Sequence, residues 1–102
     1  MNVLTYLRCS IGKWSIDLYS REAEEIFRKI DDEGVKVFQK QPGFISYRLM
    51  RASSDVTVAA AEWKSEELGK IGAENYRSWL RESGIWSKLV LQTYDGETVA
   101  SS

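Results

Sequence analysis

The segment Gln41-Pro42-Gly43-Phe44-Ile45-Ser46-Tyr47-Arg48-Leu49-Met50-Arg51 decides how the chain is organised. Proline has no backbone N–H and holds the residue before it away from helical geometry, so a helix must stop by Gln41. Gly43 supplies the turn. From Phe44 the residues alternate, with Phe44, Ser46, Arg48 and Met50 on one parity and Ile45, Tyr47, Leu49 and Arg51 on the other, the period of a strand. A short polar turn, Ala52 to Asp55, leads into Val56 to Trp63, and the two runs read as a hairpin.

Upstream of the proline, Ala23, Ile26, Phe27, Ile30, Gly34, Val37 and Phe38 recur at helical spacing behind Ser20, a residue type that caps helix N-termini. Gly34 marks either close packing on a sheet or a local break. Residues 3–9 alternate, Val3, Thr5, Leu7 and Cys9 against Leu4, Tyr6 and Arg8, and predict a first strand. Residues 10–19 read as a long connector, with Trp14 as a loop aromatic anchored at the surface or a lid over a cleft.

Downstream of the hairpin, Ser65 is a candidate cap for a second helix whose stripe holds Leu68, Ile71, Gly72, Tyr76, Trp79 and Leu80, ended by Gly84. Gly69 and Gly72 each weaken a helix by about 1 kcal/mol relative to Ala, which leaves a kink or a two-piece helix open. Ser87 to Tyr94 reads as the last strand and Asp95-Gly96 as a turn. Residues 3–95 then form one domain, and 96–102 a polar tail.

The order is βαββαβ. It predicts an α+β, ferredoxin-like domain with an antiparallel sheet and both helices on one face. Several strands carry apolar residues on both parities, and two helices cannot cover two faces. An exposed apolar face of that size calls for a partner. Pairing of two sheets as a homodimeric α+β barrel is the expected solution, with Phe44 or Met50 as residues that would meet the partner.

Composition narrows the chemistry. The 102 residues are 43% hydrophobic and 28% charged, with 14 Lys+Arg against 15 Asp+Glu and a net charge of -1. The charges are interspersed, so no basic footprint for nucleic acid is present. No apolar run approaches the roughly 20 residues of a membrane span. Met1 to Tyr6 alternates and lacks the basic-then-apolar pattern of a leader, so a cytoplasmic location is expected. Cys9 is the only cysteine and histidine is absent, which removes the commonest general base and metal ligand. Neither a metal nor another cofactor is expected.

Gln41 to Leu49 resembles the PGF-led segment that opens the second strand in the antibiotic-biosynthesis-monooxygenase (ABM) group of dimeric α+β barrels. Ala61-Glu62-Trp63-Lys64-Ser65 resembles the junction in the same group from third strand to second helix. With the element order, the resemblance covers residues 3–95. It implies a homodimer, and an activity drawn from a set that includes cofactor-independent monooxygenases of aromatic or quinol-type compounds and haem-degrading enzymes, alongside members without known activity. The haem-degrading branch carries an Asn on the first strand and a Trp and a His on the second helix. Those places fall near Leu7, Gly72 and Glu82, and all three depart from the pattern, so haem degradation is not expected.

Oxygenation without a cofactor suits a histidine-free chain. A deprotonated phenol or anthrone passes an electron to dioxygen itself, and the protein supplies a dry aromatic pocket and hydrogen bonds to the developing oxyanion. The expected catalytic residues are Asn75 and Tyr76, since an amide on an apolar helix stripe needs partners. A helix break near Gly72 would instead leave Asn75 as a cap or an exposed side chain. Trp79, Trp63, Tyr47 and Tyr6 are expected to bind substrate, each with ordinary core packing as its other reading; Tyr6 and Tyr47 are read as lying on neighbouring strands. The expectation is therefore a cofactor-independent monooxygenase acting on a small quinol- or anthrone-type aromatic. Two alternatives stay open: a non-enzymatic dimeric barrel that binds a hydrophobic ligand or acts as a structural or stress module, and an isomerase- or dehalogenase-like activity needing a carboxylate or Tyr base.

Overall fold

The computed structural model describes residues 4–102, and the expectation for Val3 lies outside the described residues. The elements are β1 (Tyr6–Trp14), α1 (Arg21–Lys29) continuing through a π-helical turn (Ile30–Gly34) into α2 (Val35–Gln39), β2 (Phe44–Arg51), β3 (Val56–Trp63), α3 (Glu66–Glu82), a 3-10 turn (Trp86–Lys88) and β4 (Leu89–Glu97). The strands lie in the order β2-β3-β1-β4, and the pairings are antiparallel. Each βαβ unit leaves a one-strand gap that the other unit fills, which is the ferredoxin-like α+β arrangement. Ser20 and Ser65 cap the helices as their residue types predict, accepting hydrogen bonds from the backbone N–H groups of Ala23 and Leu68.

Tertiary pairing lengthens two strands beyond what local propensity predicts. β1 does not stop at Cys9. Gly12 stands opposite Thr57 of β3 and Leu91 of β4, and Trp14 pairs with Leu89, so residues 10–14 are sheet and not connector. Gly12 is there for closeness, because a Cβ on it would lie 2.7 Å from the Thr57 hydroxyl oxygen. At the other end Asp95 and Gly96 do not turn. They pair with Arg8 and Leu7, and the strand runs to Glu97.

The helices also depart from the expected form. α3 is continuous, because its glycines are sites of contact and not of breakage: a Cβ on Gly72 would sit 2.1 Å from the Trp63 ring. Gly34 follows neither reading: it packs on α3 and not on the sheet, and the helix continues through it instead of breaking. It closes the π turn, and a Cβ there would meet the Trp79 ring at 2.8 Å.

A register shift between Phe44 and Ser46 in β2 reverses the parity expected for Phe44. Phe44 turns to the helix side, stacked on Phe38 and edge-on to Trp63, whereas Met50 stays on the open face at 55% exposure. The helix side holds two apolar clusters, one around Leu18, Ala23, Ile26 and Leu80, the other around Trp63, Phe38 and Tyr6. The open face presents Ile11, Met50, Val90 and Tyr94 to solvent, with Cys9 half-buried among them. Among the described residues no helix is long and apolar enough to cross a membrane.

Candidate active site

Strand alternation sends Arg8, Ser10 and Trp14 of β1, Tyr47 and Leu49 of β2, and Thr57, Ala59, Ala61 and Trp63 of β3 to the helix side. The small residues Ala59 and Ala61, in the middle of the sheet, leave room between sheet and helices. A partly open cavity of about 80 Å³ lies there, closed on the helix side by Phe38, Ala73, Tyr76 and Leu80. Its wall is mostly apolar. A wider groove of about 310 Å³ runs along the π turn and β2, and shares Ile30, Tyr47 and Leu49 with the cavity. Those three side chains are the partition between inner chamber and outer groove. The π turn thus borders a cavity, as such turns often do at functional sites.

Phe38 organises the aromatic wall. Its ring stacks on Tyr76 at 4.2 Å and on Tyr47 at 4.4 Å between centroids. The hydroxyls of Tyr47 and Tyr76 face each other at 3.5 Å, long enough for both to turn towards a third group. Burial raises both phenols above their usual pKa, and for Tyr76 the neighbouring Tyr47 adds to it. Near neutral pH they are hydrogen-bond donors and not bases.

Trp63 has 0% of its surface exposed, and among the described residues its indole N–H has no hydrogen-bond partner. A buried donor left unmade costs about 1–3 kcal/mol, so it demands a reason. By contrast the Trp14 indole donates to the Thr57 hydroxyl at 2.9 Å. Trp14 is therefore the buried end of β1, not a surface loop aromatic or a lid. Arg8 brings a charge to the cavity; its side chain is 12% exposed and paired with Asp95 at 3.0 Å. Tyr6 donates its hydroxyl to the same carboxylate. Burial, then that carboxylate, pushes the Tyr6 phenol up to about 12, while the Tyr6 hydrogen bond and Arg8 hold Asp95 below the usual carboxylate value.

The six residues singled out from the sequence part company here. Tyr47, Tyr76 and Trp63 line the cavity together. Asn75 does not. It is exposed and its amide donates to the Gln41 side chain at 2.8 Å. Successive helix residues diverge by about 100°, so with Tyr76 at the centre of the buried face its neighbour falls at the edge. Trp79 lies behind Tyr76, stacked at 5.6 Å and pressed on Gly34, outside the residues that line the cavity. Tyr6 is buried beside Trp63 and Gly69 and turns to Asp95. It is not on a strand neighbouring that of Tyr47, since β3 runs between them. Arg8, Trp14, Phe38 and Thr57 were missed. For Arg8 the signal was present, because it shares the parity of Tyr6; Trp14 and Thr57 needed the strand pairing.

No family model matches the chain, and no curated protein matches it by sequence. Solved structures do. The monooxygenase from the gene ActVA-Orf6 of Streptomyces coelicolor, in complex with nanaomycin D, superposes with a TM-score of 0.73 at 15% identity, over 97% of this chain and 91% of that one. SnoaB, a cofactor-independent oxygenase from Streptomyces nogalater, gives 0.65 at 15% identity, over 96% and 94%. A protein from Nitrosomonas europaea assigned as an antibiotic biosynthesis monooxygenase gives 0.72 at 10% identity, over 97% and 94%. The chain has the ABM fold. At these identities the likeness is one of backbone path, and the ABM fold here encloses its cavity between α3 and the sheet with this chain's own set of side chains.

Proposed function

We infer that the protein is a cofactor-independent monooxygenase acting on a small quinol- or anthrone-type aromatic. The observation that carries this reading is an aromatic cavity between sheet and helices whose wall holds two phenols with their hydroxyls 3.5 Å apart. Donors fixed in a dry site and aimed where charge develops are what such a reaction requires of a protein. The ABM fold shared with proteins described as oxygenases supports the same reading.

The substrate binds as its enolate or phenolate, stacked against Phe38 and Tyr76. It gives one electron to dioxygen, and the carbon radical and superoxide recombine to a peroxide. The peroxide anion takes a proton from solvent and, with the hydrogen left on the same carbon, loses water to leave a carbonyl, so one oxygen atom is retained and the other departs as water. The Tyr47 and Tyr76 hydroxyls donate to the substrate oxygen as charge builds on it. The chamber is about half the roughly 150 Å³ of an apolar cavity that admits benzene, so a multi-ring substrate extends past the Ile30–Tyr47–Leu49 partition into the outer groove. Asn75, on the surface, takes no part.

Two copies pair through the open sheet face, covering Ile11, Met50, Val90 and Tyr94. The small chamber is the observation that favours the second reading, a dimeric barrel that binds a hydrophobic ligand without turning it over. The deciding experiment is oxygen uptake with an anthrone and quinol panel, in the presence of a chelator and without added cofactor. Wild type should exceed the buffer rate, and Tyr76→Phe should lower it roughly 10- to 1000-fold, the range for loss of one oxyanion donor. A wild type no faster than buffer on every substrate would leave the binding module as the better account.

A further inference from the structure

Arg8 and Arg77 are among the residues that line the inner chamber, and no Asp or Glu among the described residues is. Arg77 approaches Glu74 only at 3.6 Å, and that pair is on the outer side of α3 with Glu74 58% exposed. Arg8 is more confined. A guanidinium has five N–H donors, and among the described residues the one hydrogen bond of Arg8 runs to Asp95. The Asp95 carboxylate is shared with the Tyr6 hydroxyl, and Tyr6 is itself wedged against Gly69, where a Cβ would meet its ring at 3.0 Å. Asp95 and Tyr6 thus hold the Arg8 head at one end of the chamber while leaving most of its donors unused. A confined cation with spare donors, in a mostly apolar wall, is complementary to an anionic oxygen on a small ring.

We propose that the chamber selects aromatic ligands bearing an anionic oxygen, a carboxylate or an ionised hydroxyl, with Arg8 as the anion-binding residue and Asp95 and Tyr6 as positioning residues. The inference refines the substrate class of the proposed oxygenase, but it concerns binding and stands or falls without turnover.

The test is titration calorimetry on the wild-type protein at pH 8 with benzoate, 4-nitrophenolate and the neutral isostere benzamide. Benzoate or 4-nitrophenolate should bind at least 10-fold more tightly than benzamide, and which of the two is preferred separates the carboxylate from the phenolate source. Arg8→Gln should reduce that preference to within about threefold without weakening benzamide. Equal binding of the three probes by wild type, or no binding of any at millimolar concentration, overturns the proposal; neither outcome depends on a variant folding. An unchanged preference in a folded Arg8→Gln also overturns it. Anion-selective binding without oxygen uptake would sink the oxygenase reading and leave this one standing, whereas oxygen uptake with no anion preference would do the reverse.

Discussion

At the level of single residues, the fold is most sensitive where a side chain fills the space of a missing one. Gly72 is the clearest case. Ala would gain about 1 kcal/mol of helix propensity, but its Cβ would sit 2.1 Å from the Trp63 ring, and Trp63 is fully buried with nowhere to retreat. Overpacking costs typically 1–3 kcal/mol. Gly72→Ala is therefore expected to lower the midpoint of thermal unfolding followed by circular dichroism; an unchanged or raised midpoint would show that the indole can move. Tyr6 makes a second prediction at this scale. Its folded-state pKa, about 12, lies above the ordinary phenol value near 10, so the folded protein holds its proton more tightly than the unfolded chain. The corresponding stability is complete below pH 10 and is lost as pH rises towards 12. Urea midpoints measured from pH 9 to 11 should fall in wild type and fall less steeply in Tyr6→Phe. Parallel slopes would refute the assignment.

Among the elements, α3 does two jobs. Its buried face closes the chamber with Ala73, Tyr76 and Leu80, and its first turn depends on one hydroxyl, that of Ser65. Ser65→Ala should cost about 1 kcal/mol, the usual worth of such a cap, read as a shift in the urea midpoint with an unchanged slope. A change in slope would mean that more than the cap was lost. The same helix shows how much of the site was legible beforehand. Helical spacing alone put Tyr76 on the inner face and placed the cap at Ser65. It could not centre the face, and so drew Asn75 and Trp79 into the site. The centre is set by what α3 packs on, namely Trp63 against Gly69 and Gly72. That contact joins residues from different elements, and no local period records it.

For the molecule as a whole, the open face governs the outcome. Val90 is 74% exposed, with Tyr94, Met50 and Ile11 alongside, a clustering unusual for a monomer. Light scattering coupled to size exclusion at micromolar concentration should give about twice the 11.7 kDa of one chain. Met50→Lys should shift that mass towards the monomer while the fold persists. Phe44→Lys should instead unfold the domain, because the bulge turns Phe44 into the aromatic cluster. A clean wild-type monomer would remove the case for pairing through the sheet.

The amino-acid sequence by itself determined the order of elements, both helix caps, the hairpin and the ferredoxin-like class, because caps, turns and hydrophobic periods act over a few residues. Only the tertiary structure decided that β1 reaches Trp14, that β4 absorbs Asp95 and Gly96, that Phe44 faces inward, and that Arg8, Trp63 and the two phenols meet around one cavity. The physical reason is the range of the forces. A residue with weak strand propensity becomes strand when partners on both sides offer hydrogen bonds. A cavity exists only where side chains from separate elements fail to fill the space between them.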